Sequence, residues 1–290
     1  MQNASGDLGS RGTPISSVSK ELYSLLCASS AQRSEFLVWL GLFLMASIVI
    51  VIFNLTIASA AFLTFGAPTL YLSIRRPSIL MVTLLPAMLF GTLWFFSAGF
   101  VAELGGAWIW PREEAFLIPY YIAGVVPADG ILWAVLWAWH MFSFFVFFFT
   151  CIPALNKRIV YAVGIGIAAT LSILLIQKVN VQLLHFEYAY LVFGLLLSVP
   201  AIAALSIKGS KNIYKYIAAG LVLSLLYVIC EVVGLTQGHW LFTGQYVYAF
   251  TVHFFLLPLE EIVFWIMLGA PLGLFYYDYF CNPSFEFKSK

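Results

Sequence analysis

Charge is what this sequence has least of. Asp, Glu, Lys and Arg make up 9% of its 290 residues, against about 25% in an average soluble domain, while 62% are apolar. That imbalance excludes an ordinary soluble fold. Fourteen basic residues against thirteen acidic leave a net charge of +1, so no basic field draws in nucleic acid and no acidic tail awaits a basic partner. Cysteine is equally thin. Cys27, Cys151, Cys230 and Cys281 lie far apart without a C-x-x-C pair, which excludes a disulfide framework and a zinc ribbon and leaves small apolar fillers. His140, His185, His239 and His253 show no H-x-x-x-H spacing, so no metal site is expected. No G-x-G-x-x-G fingerprint occurs, and no flavin, nicotinamide or other cofactor is expected.

What is abundant is apolar length. Residues 1–34 are rich in Ser, Gly and Ala and lack the apolar core of a secretory signal, so they read as a cytoplasmic tail. Beyond them, eight stretches suffice to cross a hydrocarbon core of roughly 30 Å: 36–53, 55–73, 79–101, 123–150, 159–176, 186–206, 213–235 and 250–276. With both termini cytoplasmic, twelve of the fourteen cations fall on the inner side, leaving Arg112 and Lys178 outside. Losing one helix would scatter these clusters across both faces.

Offsets reveal an internal repeat. Pro68 and Pro200, Arg76 and Lys208, and Trp108 and Trp240 are each 132 residues apart, and Pro127 and Pro258 are 131 apart. Four spans per half keep the two halves in the same orientation. The expected fold is an all-α integral membrane protein of about eight transmembrane helices in two parallel four-helix repeats, 36–153 and 159–280, in the cell membrane. Small residues such as Gly164, Gly166, Ala218, Ala219 and Gly220 are expected to let helices approach closely.

Carboxyl groups are costly in lipid, so acids within spans are candidate functional groups. Asp129, Glu260 and Glu261 each follow a proline, in Pro127-Ala128-Asp129-Gly130 and Pro258-Leu259-Glu260-Glu261. Proline suits a first helical turn, and the helix N-terminus tolerates a carboxylate. Glu231 and Glu103 stand at similar depth. Residues i and i+1 diverge by about 100° on a helix, so Glu260 and Glu261 are not expected to face each other. At an offset of 131, Asp129 aligns with Glu260, and each has an aromatic ring one turn on, Trp133 and Phe264. Acids beside aromatic faces suit proton transfer through a carbocation.

The segment Pro258-Leu259-Glu260-Glu261-Ile262-Val263-Phe264 resembles the P-x-E-(E/D)-x-x-F motif of the lycopene cyclase domain, found in the heterodimeric and fused membrane carotenoid cyclases of bacteria, archaea and fungi. Glu231, Gly238 and Trp240 extend the likeness upstream. The first half reads Pro127-Ala128-Asp129-Gly130-Ile131-Leu132-Trp133, with Gly130 where the second acid stands and Trp133 where the Phe stands. The resemblance implies redox-neutral ring closure at the end of a linear, lycopene-like polyene held in the bilayer. It points to Glu260 as the proton donor, with Glu261 and Asp129 catalytic and Glu231, Glu103, Phe264, Trp133, Trp240 and Trp108 in support.

Alternatives stay open beside it. Pro111-Arg112-Glu113-Glu114 is a second acid pair, out of phase with the repeat. Glu260 and Glu261 also read as a helix-start pair at the headgroups, Asp129 as a helix-start residue, and Trp108, Trp110 and Trp240 as interfacial belt residues. A transporter or carotenoid-binding membrane protein would use the same acids. A prenyltransferase does not fit a chain with only Asp7, Asp129 and Asp278. A retinal protein does not fit a last span without Lys.

Overall fold

A long apolar run can satisfy its backbone inside lipid only by coiling on itself, and this chain does so repeatedly. The computed structural model describes residues 17–22, 29–111, 116–152, 154–185, 187–252 and 255–287. Among them, seven helices are long and apolar enough to cross a bilayer: α1 (Ser30–Phe53), α2 (Ile57–Arg75), α3 (Ile79–Leu104), α4 (Ala128–Phe148), α5 (Ile159–Leu184), α6 (Ala189–Ile207) and α7 (Ile213–Gln237). The pair Glu261–Met267 and Gly269–Cys281, bent by 45°, makes an eighth, α8. The protein is mostly helical and suited to a membrane. Most of the 1–34 tail, with Cys27, Arg112, Glu113, Glu114, His253, Lys288 and Lys290, lies outside the described residues.

Local chemistry sets the boundaries. Ser29 accepts the N–H of Gln32 at 3.3 Å and starts α1, and Asn54, left-handed at φ 47°, ends it. Within α2, Pro68 has no N–H for the carbonyl of Thr64. The turn before it, Phe62–Gly66, widens to π form, with the N–H of Ala67 on the carbonyl of Phe62. Gly238, at φ 65°, closes α7 so that the N–H of His239 reaches the carbonyl of Gly234 at 2.9 Å.

Burial then distinguishes helices of similar hydropathy. In α4, 67% of the apolar window is buried, against 11% in α5 and 22% in α6. A helix apolar on all sides is either a core element or a lipid-facing one. Here α4 is the first kind, with Phe142, Phe144 and Phe145 in the core, and α5 is the second, with Val160, Leu171, Leu175 and Val179 exposed. Close approaches need small residues: a Cβ on Gly91 would meet the backbone of Val135 at 2.7 Å, and one on Gly220 the ring of Pro271 at 2.3 Å. Gly166 faces Leu93 in the same way, whereas Gly164 has nothing within 4 Å.

Two of the expected spans are too long. Within the expected span, β5 (Ala249–Val252) pairs antiparallel with β6 (Phe255–Pro258), so α8 starts at Glu261 and not at 250. Likewise β2 (Tyr121–Ile122) pairs with β3 (Val126–Pro127), and α4 starts at Ala128 and not at 123. Apolar residues rich in β-branched and aromatic side chains suit either state, and hydropathy cannot separate them. A third pair, β1 (Trp108–Ile109) with β4 (Leu241–Phe242), joins the loop after α3 to the loop after α7. The cysteines also differ from expectation. Cys281 is buried, but Cys151 is exposed, with an Arg76 guanidinium nitrogen 3.0 Å from its sulfur.

The two ends of the bundle are chemically unlike. Arg33, Arg75, Arg76, Lys157, Arg158, Lys208, Lys211 and Lys215 gather at the end opposite the hairpins. There Asp278 accepts from the Tyr216 hydroxyl and from the side-chain amides of Asn212 at 2.9 Å and Asn282 at 2.7 Å, tying α7 to the C-terminal segment. All three strand pairs sit at the other end.

Candidate active site

The hairpin end holds a cavity of about 740 Å³ including its open mouth. Six of the chain's nine tryptophans line it: Trp108, Trp110, Trp133, Trp137, Trp240 and Trp265. Two carboxyl groups enter this aromatic wall, Glu231 from the last turns of α7 and Glu261 from the first turn of α8.

Each carboxyl is held by a donor. The indole N–H of Trp240 donates to Glu231 Oε1 at 2.8 Å. The hydroxyl of Tyr190, on α6, donates to Glu261 Oε2. Gly234 makes room for the first pair, since a Cβ there would lie 2.2 Å from the Trp240 ring. The rings also brace one another. Trp133 meets Trp240 edge-on at 6.0 Å, Trp108 meets Tyr190 edge-on at 5.3 Å, and Tyr190 stacks on Trp265 at 6.0 Å.

Above the cavity, the loop after α7 is tied to the loop after α3. Tyr246 donates its hydroxyl to the carbonyl of Ala107 and accepts the N–H of Gly244 at 3.1 Å. Thr243 donates to the carbonyl of Gly106 at 2.8 Å. Burial pushes the Tyr246 hydroxyl up to about 12, so it stays a neutral donor at ordinary pH. Gly244 allows this closure, because a Cβ there would meet Ala107 Cα at 2.7 Å.

The acids named from the sequence separate into two groups. Glu231 and Glu261 share the cavity; Asp129, Glu260 and Glu103 are not among its lining residues. Asp129 is fully buried, and its two oxygens accept the N–H groups of Leu117 at 2.7 Å and Ile118 at 3.0 Å. Glu260 does similar work with Oε1, which accepts the N–H of Val247 at 2.7 Å. Its Oε2 has no hydrogen-bond partner among the described residues. Glu103 accepts the indole N–H of Trp110 at 2.8 Å. Of the aromatic residues, Trp108, Trp133 and Trp240 line the cavity, and Phe264 does not. Phe264 fills a notch on α6, where a Cβ on Gly194 would lie 2.2 Å from its ring.

A π segment accounts for the different spacing of the wall residues. Asp129 and Glu260 are 131 apart and both fold back onto the preceding loop, yet the next aromatic residues on the cavity wall, Trp133 and Trp265, are 132 apart. Between Glu260 and Trp265 the chain enters the π turn Glu261–Met267, which takes up one extra residue. The extra residue accompanies Glu261 facing the cavity. Spacing in the sequence singled out Phe264 where Trp265 stands on the wall; the 132-residue offset shared with Trp108 and Trp240 was the signal that points to Trp265. Tyr190 carried no such signal, since it lies 71 residues from its partner.

Chemically, two carboxyl groups in a cavity otherwise lined by aromatic and apolar residues can pass a proton to and from a bound molecule, and the indole faces can stabilise a transient cation. Among the described residues no group of three His, Cys, Asp or Glu is placed to hold a metal ion. Comparison with family models, with curated proteins and with solved structures gives no match.

Proposed function

We propose that this chain is a membrane-embedded carotenoid cyclase of the lycopene type, closing the end of a linear polyene into a ring without redox change. What carries the reading is one observation: Glu231 and Glu261, the latter in the Pro258–Phe264 motif, share a cavity walled by tryptophan. One carboxylic acid of the pair adds its proton to the terminal double bond. A neighbouring double bond attacks the resulting tertiary cation and forms the ring bond. The other member, as carboxylate, then removes a proton beside the new cation, so the formula is unchanged. Tyr190 and Trp240 orient the two carboxyls, and the indole faces stabilise the cation in between.

The architecture that goes with this reading is two parallel four-helix repeats with both termini cytoplasmic and the cavity toward the outer face. It is supported by the pairing of Ile109 with Leu241, 132 residues apart, and by the gathering of cations at the opposite end. A linear carotenoid is about as long as the hydrocarbon core is thick, so its end group reaches this depth when it stands across the bilayer.

Expression in a lycopene-accumulating bacterium, followed by pigment chromatography and mass measurement, tests the function. A cyclised product of unchanged mass is expected. Lycopene alone, with the protein present in the membrane, overturns the cyclase reading; lycopene that copurifies unchanged would identify a carotenoid carrier instead.

A further inference from the structure

The hairpin end carries surface that the cavity does not use. Residues 232–259 contain no Asp, Glu, Lys or Arg, and neither do residues 116–128. Loops bathed in water are normally built from polar and charged residues. Here most outward side chains are apolar or aromatic instead, with Thr243, Gln245 and Thr251 the polar exceptions: Tyr120 is 64% exposed, Val247 60%, Tyr248 57% and Phe250 40%. The opposite end of the bundle, with its gathering of cations, shows what the water-facing ends of this chain look like.

Two further observations bear on what covers this surface. It continues an exposed apolar surface of a membrane-length helix, since the exposed side of α7 runs through Leu221, Leu225, Val228 and Val232 toward the same end. Its backbone is also largely paired within itself, through the four-rung β5–β6 ladder and the β2–β3 pair. Such pairing lowers the cost of leaving bulk water, but a two-stranded hairpin still has open edges that need hydrogen-bond partners. The depth that meets both demands is the boundary between headgroups and acyl chains, where Tyr and Trp also concentrate.

We propose that the β5–β6 hairpin and the 116–127 segment are inserted in the lipid interface and do not project into water. The partner of this surface is the phospholipid bilayer itself. The loops that roof the cavity are then wetted by lipid, and an apolar molecule reaches the cavity sideways from the bilayer. This holds whatever reaction the cavity performs, so it stands apart from the cyclase reading.

Spin labels test it on the full chain in phosphatidylcholine vesicles. They are attached through Tyr120→Cys and Phe250→Cys, with Val247→Cys as a replacement if either variant fails to insert. The native exposed Cys151 at the opposite end is the internal reference, its signal isolated by comparison with Cys151→Ser. The ratio of collision rates with oxygen and with a water-soluble nickel chelate is expected to exceed that at Cys151 by roughly tenfold. A ratio equal to that at Cys151 places the hairpins in water and overturns the proposal. A label shielded from both reagents is covered by protein, which overturns it equally.

Discussion

The regions around Glu103–Trp137 and Glu231–Trp265 use the same parts and reach different ends. In each, a glutamate in the last turns of a helix accepts an indole N–H at 2.8 Å from a tryptophan in the following loop, Trp110 or Trp240. In each, the acid after the helix-starting proline is spent on backbone N–H groups of the loop before it. The difference lies one residue further on. The first region has Gly130, over which the Trp110 ring lies so closely that a Cβ would meet it at 3.1 Å. The second has Glu261, facing the cavity. One region thus supplies mainly aromatic wall and the other supplies the acids as well. That position supplies one of the acids; the other is Glu231, which lines the cavity where its counterpart Glu103 does not.

The sharpest way to break this comparison is to exchange the adjacent acids. Glu261→Gln is expected to lower ring formation by about 10²- to 10⁴-fold, the usual worth of a general acid or base. Glu260→Gln is expected to stay within about tenfold of the parent, because its oxygen holds a loop. Pigment chromatography at matched protein levels reads both, and the reverse order would return the chemistry to Glu260.

Removing only the hydroxyl that orients Glu261 should have the next largest effect. Tyr190→Phe is expected to cost about tenfold in rate, in line with the loss of one hydrogen bond to an acid. Unchanged initial rates of lycopene conversion would make Tyr190 a packing residue alone.

The two loop-holding acids then differ in degree. Asp129 binds two backbone N–H groups and Glu260 binds one. Asp129→Asn is expected to destabilise by about 1–3 kcal/mol and Glu260→Gln by less, since each lost bond leaves a polar group unpaired. Thermal unfolding in detergent measures the difference, and equal shifts would remove this distinction. The smallest effect is expected at the position that separates the regions. Gly130→Ala presses on Trp110 and should cost about 1 kcal/mol, visible as a small drop in melting temperature with the fold intact.

Much of the membrane character could be read directly. The helices α1 to α7 follow from apolar lengths and scarce charge, and their boundaries fall close to Ser29, Asn54 and Gly238, whose local chemistry is recognisable in the sequence. The hairpins could not be read in this way. Residues 249–258 are as apolar as a span, and only Pro258 and the pairing of Ala249–Val252 with Phe255–Pro258 separate strand from helix. For the cavity, the candidate set from the sequence already contained Glu231, Glu261, Trp108, Trp133 and Trp240; Tyr190, Trp137 and Trp265 were missed.

By itself, the sequence determined that the chain belongs in a membrane, that its scarce acids cluster after prolines and at helix ends, and that tryptophans accompany them. These are matters of solvation and local backbone preference, which depend on residue type and near neighbours. Tertiary structure alone decided which acid faces the cavity and which holds a loop. Glu260 and Glu261 are chemically almost alike and differ by about 100° of helical rotation. That choice goes with the packing of Phe264 into the Gly194 notch and with the bond from Tyr190, on α6, to Glu261. Both come from contacts between helices distant in the chain.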